Sequence, residues 1–191
     1  MTDPVDTHLY WNVRAPHYAI YDVLGRNILE QYITPINRVT PIKSLIDVGC
    51  GKGELFPLWC QLKIPRLVGY DFSEEMLEIS RRRVERHGLP IELYHADIRE
   101  TPYPEQFDFA VTRTVLMHIP AVDIERAAVN LSKMSNNLML FEYSEKVATK
   151  ELNRWCWLHD YTLVFEDLGY RQIAAIQRPD IPQTLFHFKR E

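Results

Sequence analysis

The segment "SLIDVGCGKGELF", Ser44–Phe56, constrains the fold more than any other. A short β-rich apolar run leads straight into glycines at 49, 51 and 53. Glycine adopts left-handed backbone angles without steric cost, and it lets another group touch the main chain. A strand that enters such a turn and then opens a helix is the first unit of an alternating α/β fold. One strand–helix turn needs one or two glycines. Three, alternating with other residues, fit a ligand-binding loop.

The chain repeats that unit. "RLVGYD" (66–71), "IELYHAD" (91–97), "FDFAVT" (107–112) and "NNLMLFEYSE" (136–145) have the length and boundaries of buried strands. Helical patterns lie between them. In "SEEMLEISRRRVERHG", Ser73 can cap the start, Glu74 and Glu75 fill the first turn, and Gly88 stops the helix. The triple arginine within it reads as a solvated face with intrahelical pairs. Residues 121–134 form a second amphipathic pattern with Asp123 as candidate cap, and residues 159–169 a third, ended by Gly169. Residues 171–176 and 183–190 read as strands whose short link allows an antiparallel pair. Before Pro41 the chain reads as one or two helices, with 15–33 the best candidate. The alternation predicts a parallel sheet with helices on both faces and right-handed crossovers. Ligands of such sheets bind beyond the C-terminal strand ends, at the switch in strand order.

The 191 residues fit one domain, and a net charge of -4 provides no global attraction to nucleic acid or anionic membrane. Cys50, Cys60 and Cys156 have no C-x-x-C spacing, so neither a metal site nor a disulfide framework is expected. Reduced cysteines suit a cytoplasmic protein. The first residues do not form a signal peptide, and no apolar run approaches the roughly 20 residues that span a bilayer.

Two phosphate ligands are excluded for the loop. A P-loop needs Lys-Ser or Lys-Thr after its last glycine, but Lys52 stands between glycines. The dinucleotide fingerprint needs glycine where Glu54 stands, and a carboxylate at a helix start repels pyrophosphate. Asp71 ends the second strand about 20 residues after the loop, where an acid commonly holds two ribose hydroxyls. Asp97 ends the third strand and suits an adenine amino group or a turn.

"LIDVGCGKGELF", "LVGYDFSEEMLEIS", "YHADI" and "FDFAVTRTVLMHI", in that order and spacing, closely resemble class I S-adenosylmethionine-dependent methyltransferases, of the small type 11/25-like kind. The resemblance runs from about Ser44 to Tyr143. "YWNVRAPHY" resembles the W-x-x-R-A-x-x-Y entry segment of small members. It implies a doubly wound Rossmann-like fold: seven mostly parallel strands with the last antiparallel, and helices on both faces. Residues 1–40 would be a helical cap, 41–145 the cofactor core and 146–191 the substrate side. Asp47, Gly49, Cys50, Gly51 and Gly53 would cradle the methionine part of S-adenosylmethionine. Asp71 would hold the ribose, Phe72 and Met76 would line the adenine pocket, and Asp97 and Ile98 would contact adenine. Arg113 and Thr114 would pass close to the cofactor. Tyr10, Arg14 and Tyr18 would close over it, with Arg14 pairing its carboxylate.

Methyl transfer is an in-line displacement, and an alcohol or ammonium acceptor must also lose a proton. Candidate bases are His118 after the fourth strand, Glu142 and Tyr143 at the end of the fifth, and His159 in the last quarter. Trp155 and Trp157 are candidates to line an acceptor pocket or to cover the sheet. The N/D-P-P-Y/F and Pro-Cys signatures of nucleic-acid methylation do not occur. The expected acceptor is a small molecule methylated on oxygen or nitrogen. RNA or protein methylation, or a non-catalytic scaffold, are the alternatives.

Overall fold

The computed structural model describes residues 7–14, 22–143 and 156–191. Seven strands form one sheet: β1 (Ser44–Val48), β2 (Arg66–Asp71), β3 (Ile91–His95), β4 (Phe109–Arg113), β5 (Asn137–Tyr143), β6 (Arg171–Gln177) and β7 (Gln183–Lys189). Their order is β3-β2-β1-β4-β5-β7-β6. The first five run parallel, and β7 lies antiparallel to both β5 and β6. The order reverses between β1 and β4, so the crevice above those two strands is where a ligand belongs. The expected Rossmann-like sheet with an antiparallel end is therefore present.

Helices cover both faces. They are α1 (Thr7–Arg14), α2 (Val23–Val39), α3 (Phe56–Gln61), α4 (Glu74–His87), α5 (Ile124–Met134) and α6 (Tyr161–Glu166). Successive strand residues go to opposite faces, so β1 feeds two cores. Leu45 packs with Leu29, Ile33, Phe56 and Trp59 on one side. Ile46 packs with Leu131, Phe165 and Phe188 on the other. Burial on both faces explains why the strands read as unbroken apolar runs rather than alternating ones.

Helix α4 begins and ends where its caps predict. Ser73 Oγ accepts from Met76 N at 3.3 Å, and Gly88 is left-handed at φ 55°. Arg81 and Arg82 pair with Glu78 along its outer face. Three other helices differ in detail from the sequence reading. Helix α5 starts at Ile124, and Asp123 makes no capping bond because its carboxylate turns to Arg126. Helix α6 is only six residues long, and Asp160 sets its start by capping it at Leu163 N. In the N-terminal part, Asp22 caps α2 by accepting from Gly25 N at 2.9 Å, so that helix starts later than expected. Residues 15–21 lie outside the described residues. No described helix is long and apolar enough to cross a membrane, and no group of His, Cys, Asp or Glu among the described residues would hold a metal.

Two contacts place the crevice walls. Gly49 has φ 71°, and a Cβ there would meet Val115 Cγ2 at 2.2 Å. The loop after β1 thus touches the segment after β4. That segment is held in turn by Glu142 on β5, which is fully buried. Its Oε1 accepts from Thr112 Oγ1 at 2.8 Å and from Val115 N at 3.0 Å, while Oε2 accepts from Val115 N at 3.0 Å and Met117 N at 3.4 Å. These bonds shape the short 3-10 turn Leu116–His118. Glu142 was a candidate base at the strand end, able to face either an acceptor or water. Alternation along β5 sends it inward instead, where backbone N–H groups occupy it. Burial pushes its carboxyl up to about 7, against the pull of those donors.

Two predictions follow from this geometry. Gly49→Ala combines a left-handed alanine with a side-chain clash, so it should lower stability by about 2–4 kcal/mol in urea unfolding. A loss below about 1 kcal/mol would mean the Gly49–Val115 contact yields easily. Glu142 has a raised folded pKa, so its contribution is fully present below the unfolded value, 4.5, and fades as pH rises through about 7. The stability gap between wild type and Glu142→Gln should therefore shrink from pH 5 to pH 8. A gap that stays constant or widens would contradict the raised pKa.

Candidate functional site

A cavity of about 120 Å³ opens at the C-terminal edge of β1, β2 and β4. Besides Glu54 after the glycine loop, three aspartates line it, from the end of β1 (Asp47), the end of β2 (Asp71) and just beyond β3 (Asp97). Each is fastened differently.

Asp71 is buried, and its two oxygens accept from different elements. Oδ2 takes Gly51 N at 2.8 Å, and Oδ1 takes Ser73 N at 2.9 Å. It thus ties the glycine loop to the start of α4. Burial raises its carboxyl pKa, and these backbone donors pull it back. A carboxylate oxygen has a second lone pair, so each can still accept from a ligand hydroxyl. Asp47 accepts from Trp59 Nε1 at 2.9 Å through Oδ2. Burial pushes its carboxyl up to about 7, with the Trp59 bond and the Arg113 charge acting against the rise.

Asp97 is held by Arg99. Arg99 Nε lies 3.0 Å from Oδ2, Nη2 lies 2.6 Å from Oδ2, and the Arg99 backbone N lies 2.8 Å from Oδ1. Arg99 lines the cavity too, and the sequence reading did not single it out. The signal was there in "HADIR", since an arginine two residues after an aspartate can fold back on it. Phe72, Met76 and Ile98 supply the apolar lining beside these acids.

The glycines divide by role. At Gly49 and Gly53 a Cβ would strike the protein's own side chains, Val115 at 2.2 Å and Phe56 at 2.4 Å. At Gly51, φ 54°, a Cβ would meet only Glu54, at 3.8 Å. Gly51 is thus the open face of the loop. Its N–H goes to Asp71, and its carbonyl accepts from Ser80 Oγ at 2.7 Å. Gly53 does not line the cavity, while Gly49 and Cys50 do. Burial raises the Cys50 thiol well above its ordinary value, so this cysteine stays a neutral wall residue.

The far wall is the segment after β4. Arg113, Thr114, Val115 and His118 line it. Thr114 has φ 53°, uncommon for a β-branched residue, and its Oγ1 donates to Arg113 O at 2.6 Å. Trp11 of α1 also lines the cavity, with its ring edge-on to His118 at 4.9 Å between centroids. Tyr10 packs against Trp11 at 5.3 Å but does not line the cavity itself. Cys156 Sγ lies 3.8 Å from His118 Nδ1.

Several candidates lie elsewhere. His159 is buried, with Nε2 3.0 Å from Ile119 O, so it braces the end of the 116–118 turn and is not on the cavity wall. Glu142 is buried behind that turn. Tyr143 is half-buried at the end of β5 and does not line the cavity. Trp157 N donates to Met117 O at 2.7 Å. The Arg14 side chain, Tyr18 and Trp155 lie outside the described residues.

Residues 45–137 match a family model described as a methyltransferase domain. The demethylmenaquinone methyltransferase of Listeria welshimeri is 31% identical over 192 residues, 81% of this chain and 81% of that one. An uncharacterized protein of Haemophilus influenzae is 24% identical over 154 residues, 77% of this chain. The match spans 59% of that relative's length. Among solved structures, magnesium protoporphyrin IX methyltransferase from Synechocystis with bound SAH has a similar fold, with a TM-score of 0.71 at 15% identity over 97% of this chain and 95% of that one. The ordered motifs, the seven-stranded sheet and these likenesses agree, and the chain belongs to the class I S-adenosylmethionine-dependent methyltransferases.

Proposed function

We propose that this chain moves the methyl group of S-adenosylmethionine to an oxygen or nitrogen of a small-molecule acceptor, with the cofactor in the cavity above β1, β2 and β4. One observation carries the reading: carboxylates from three adjacent strands line a single cavity beside an open glycine backbone. The donor set fits the cofactor. A nucleoside with an ammonium and a sulfonium suits acidic walls, whereas a pyrophosphate does not. The cofactor supplies the methyl group on a good leaving group.

The chain's own residues position and protect. Asp71 accepts from the ribose hydroxyls with its remaining lone pairs. Asp47 pairs with the ammonium. Phe72, Met76 and Ile98 cover the adenine faces, and Asp97, oriented by Arg99, accepts from its amino group. Trp11 brings the N-terminal helical cap over the opening and excludes water. His118 is the imidazole on the far wall, and it is the proposed general base for the acceptor's proton. Holding the acceptor atom roughly 3–3.5 Å from the methyl carbon supplies much of the rate. The names of the Listeria and Synechocystis enzymes refer to a quinone and a porphyrin, which favours a small organic acceptor over RNA. The chain's net charge of -4 points the same way.

Calorimetric titration of S-adenosylmethionine and S-adenosylhomocysteine tests the first half. Micromolar binding is expected, weakened at least about tenfold by Asp71→Ala, which removes hydrogen bonds to a charged acceptor. Asp47 pairs with an ammonium only when ionised, so affinity should fall from pH 8 to pH 6, through its value of about 7. Binding that is flat or tighter at pH 6 would remove Asp47 from this role. A metabolite screen with labelled methyl donor tests the second half. His118→Ala should then lower kcat by roughly 100-fold or more while homocysteine-cofactor binding is kept. Transfer to RNA or protein, but to no metabolite, would overturn the small-molecule reading.

A further inference from the structure

Arg113, at the end of β4, stands between two hollows. One is the cavity just described. The other is a polar groove of about 600 Å³ lined by residues of α2, α3 and α4. The arginine side chain is 13% exposed, so its charge is largely out of water. Its Nη2 donates to Asp22 Oδ2 at 2.9 Å. That same oxygen takes Arg178 Nη1 at 2.5 Å, and Asp22 Oδ1 takes Gly25 N at 2.9 Å. Arg178 also holds Asp180 and Gln183. Asp22 is therefore shared between two guanidiniums and a helix cap.

Arg113 is left incompletely used. Of the five N–H donors of a guanidinium, the bond to Asp22 uses one. Its Nε is buried with no hydrogen-bond partner among the described residues. A buried donor in that state is unfavourable and calls for an acceptor. The Nε edge of arginine is the one that a carboxylate meets with two parallel hydrogen bonds. The same cavity is lined by Asp47 on the neighbouring strand β1, where the Arg113 charge is felt. An acid and an arginine side by side at the ends of adjacent strands match an α-amino acid group, which carries an ammonium and a carboxylate on one carbon.

We propose that Arg113 binds the carboxylate of the cofactor's methionine portion through its Nε edge, while Asp22 holds the guanidinium from the other side. This rests on the reading of the cavity as the cofactor site, and it goes beyond it. The resemblance gives that carboxylate to Arg14, on the first helix. Arg113 is instead rooted in the sheet, so the anchor is in place whatever the N-terminal segment does. The same ion pair reaches the capping residue of α2, so cofactor binding and the start of that helix share one guanidinium. A lysine would keep the charge and lose the planar fork.

The test compares two ligands by calorimetry. S-adenosylhomocysteine carries the amino-acid carboxylate, and 5′-methylthioadenosine lacks the amino-acid group altogether. Arg113→Gln should weaken the first by roughly tenfold or more and leave the second within about threefold. Arg113→Lys keeps the pair with Asp22 and should show the same selective loss in smaller measure, so it serves if the glutamine variant does not fold. Equal weakening of both ligands would assign Arg113 to scaffold alone and overturn the proposal. Unchanged binding of S-adenosylhomocysteine would overturn it too. If wild type binds neither ligand, the cavity is not the cofactor site and both readings fall together.

Discussion

The architecture of the site depends on one close approach, that of Gly49 to Val115. No side chain fits on Gly49, since its Cβ would lie 2.2 Å from a Val115 methyl. The loop after β1 and the segment after β4 can meet only because that position is glycine. The contact sets the width of the crevice at the point where strand order reverses. It also joins two lines of support. Behind the loop, Asp71 grips Gly51 and Ser73. Behind the β4 segment, Glu142 grips Val115 and Met117. The two carboxylates do the same work on opposite sides, each tying down backbone that would otherwise be loose.

Such carboxylates come with opposition. Burial raises the pKa of Asp47, Asp71 and Glu142 together, so all three resist ionisation in the folded chain. Backbone and indole donors offset part of that. A chain selected for stability alone would replace buried acids with apolar groups of similar shape. Asp47 and Asp71 line the cavity, as a site for a cationic ligand needs, while Glu142 braces the turn behind it. A bound ammonium would return to Asp47 part of the solvation it lost on burial.

Much of the fold was legible because local chemistry and tertiary structure agree. Ser73 and Gly88 bound α4 because capping and left-handed termination need only neighbouring atoms. β1 and β2 have the bounds read from the sequence because both faces of the sheet are covered. What was not legible turns on direction. Glu142 stands at a strand end beside an expected acceptor site, and one step of alternation sends it to the α5–α6 side, behind the 116–118 turn. His159 was read as a possible base, but the aspartate after it caps α6 and leaves the imidazole against the Ile119 carbonyl. Gly49 and Gly53 were read as letting a ligand touch the backbone; Val115 and Phe56 fill the direction a side chain would take, while Gly49 still lines the cavity. A glycine pattern records that something comes close to the backbone, not whether it belongs to the protein.

The same distinction explains why the donor half of the site reads more clearly than the acceptor half. The donor half is built from backbone and from acids at strand ends, whose positions follow from the sheet. The proposed acceptor half would rest on Trp11 from one helix and His118 from a turn, with Cys156 and Trp157 from the segment before α6 packed against that turn. These groups meet across more than a hundred residues of chain, and no periodicity connects them. Their contacts converge on the turn that Glu142 fixes, for Trp157 N bonds Met117 O and Met117 N bonds Glu142. The wall proposed to face the acceptor therefore inherits its position from a buried acid behind it. A change of acceptor in a chain of this design would require new side chains on that turn and its neighbours, with Glu142 and Gly49 left as they are.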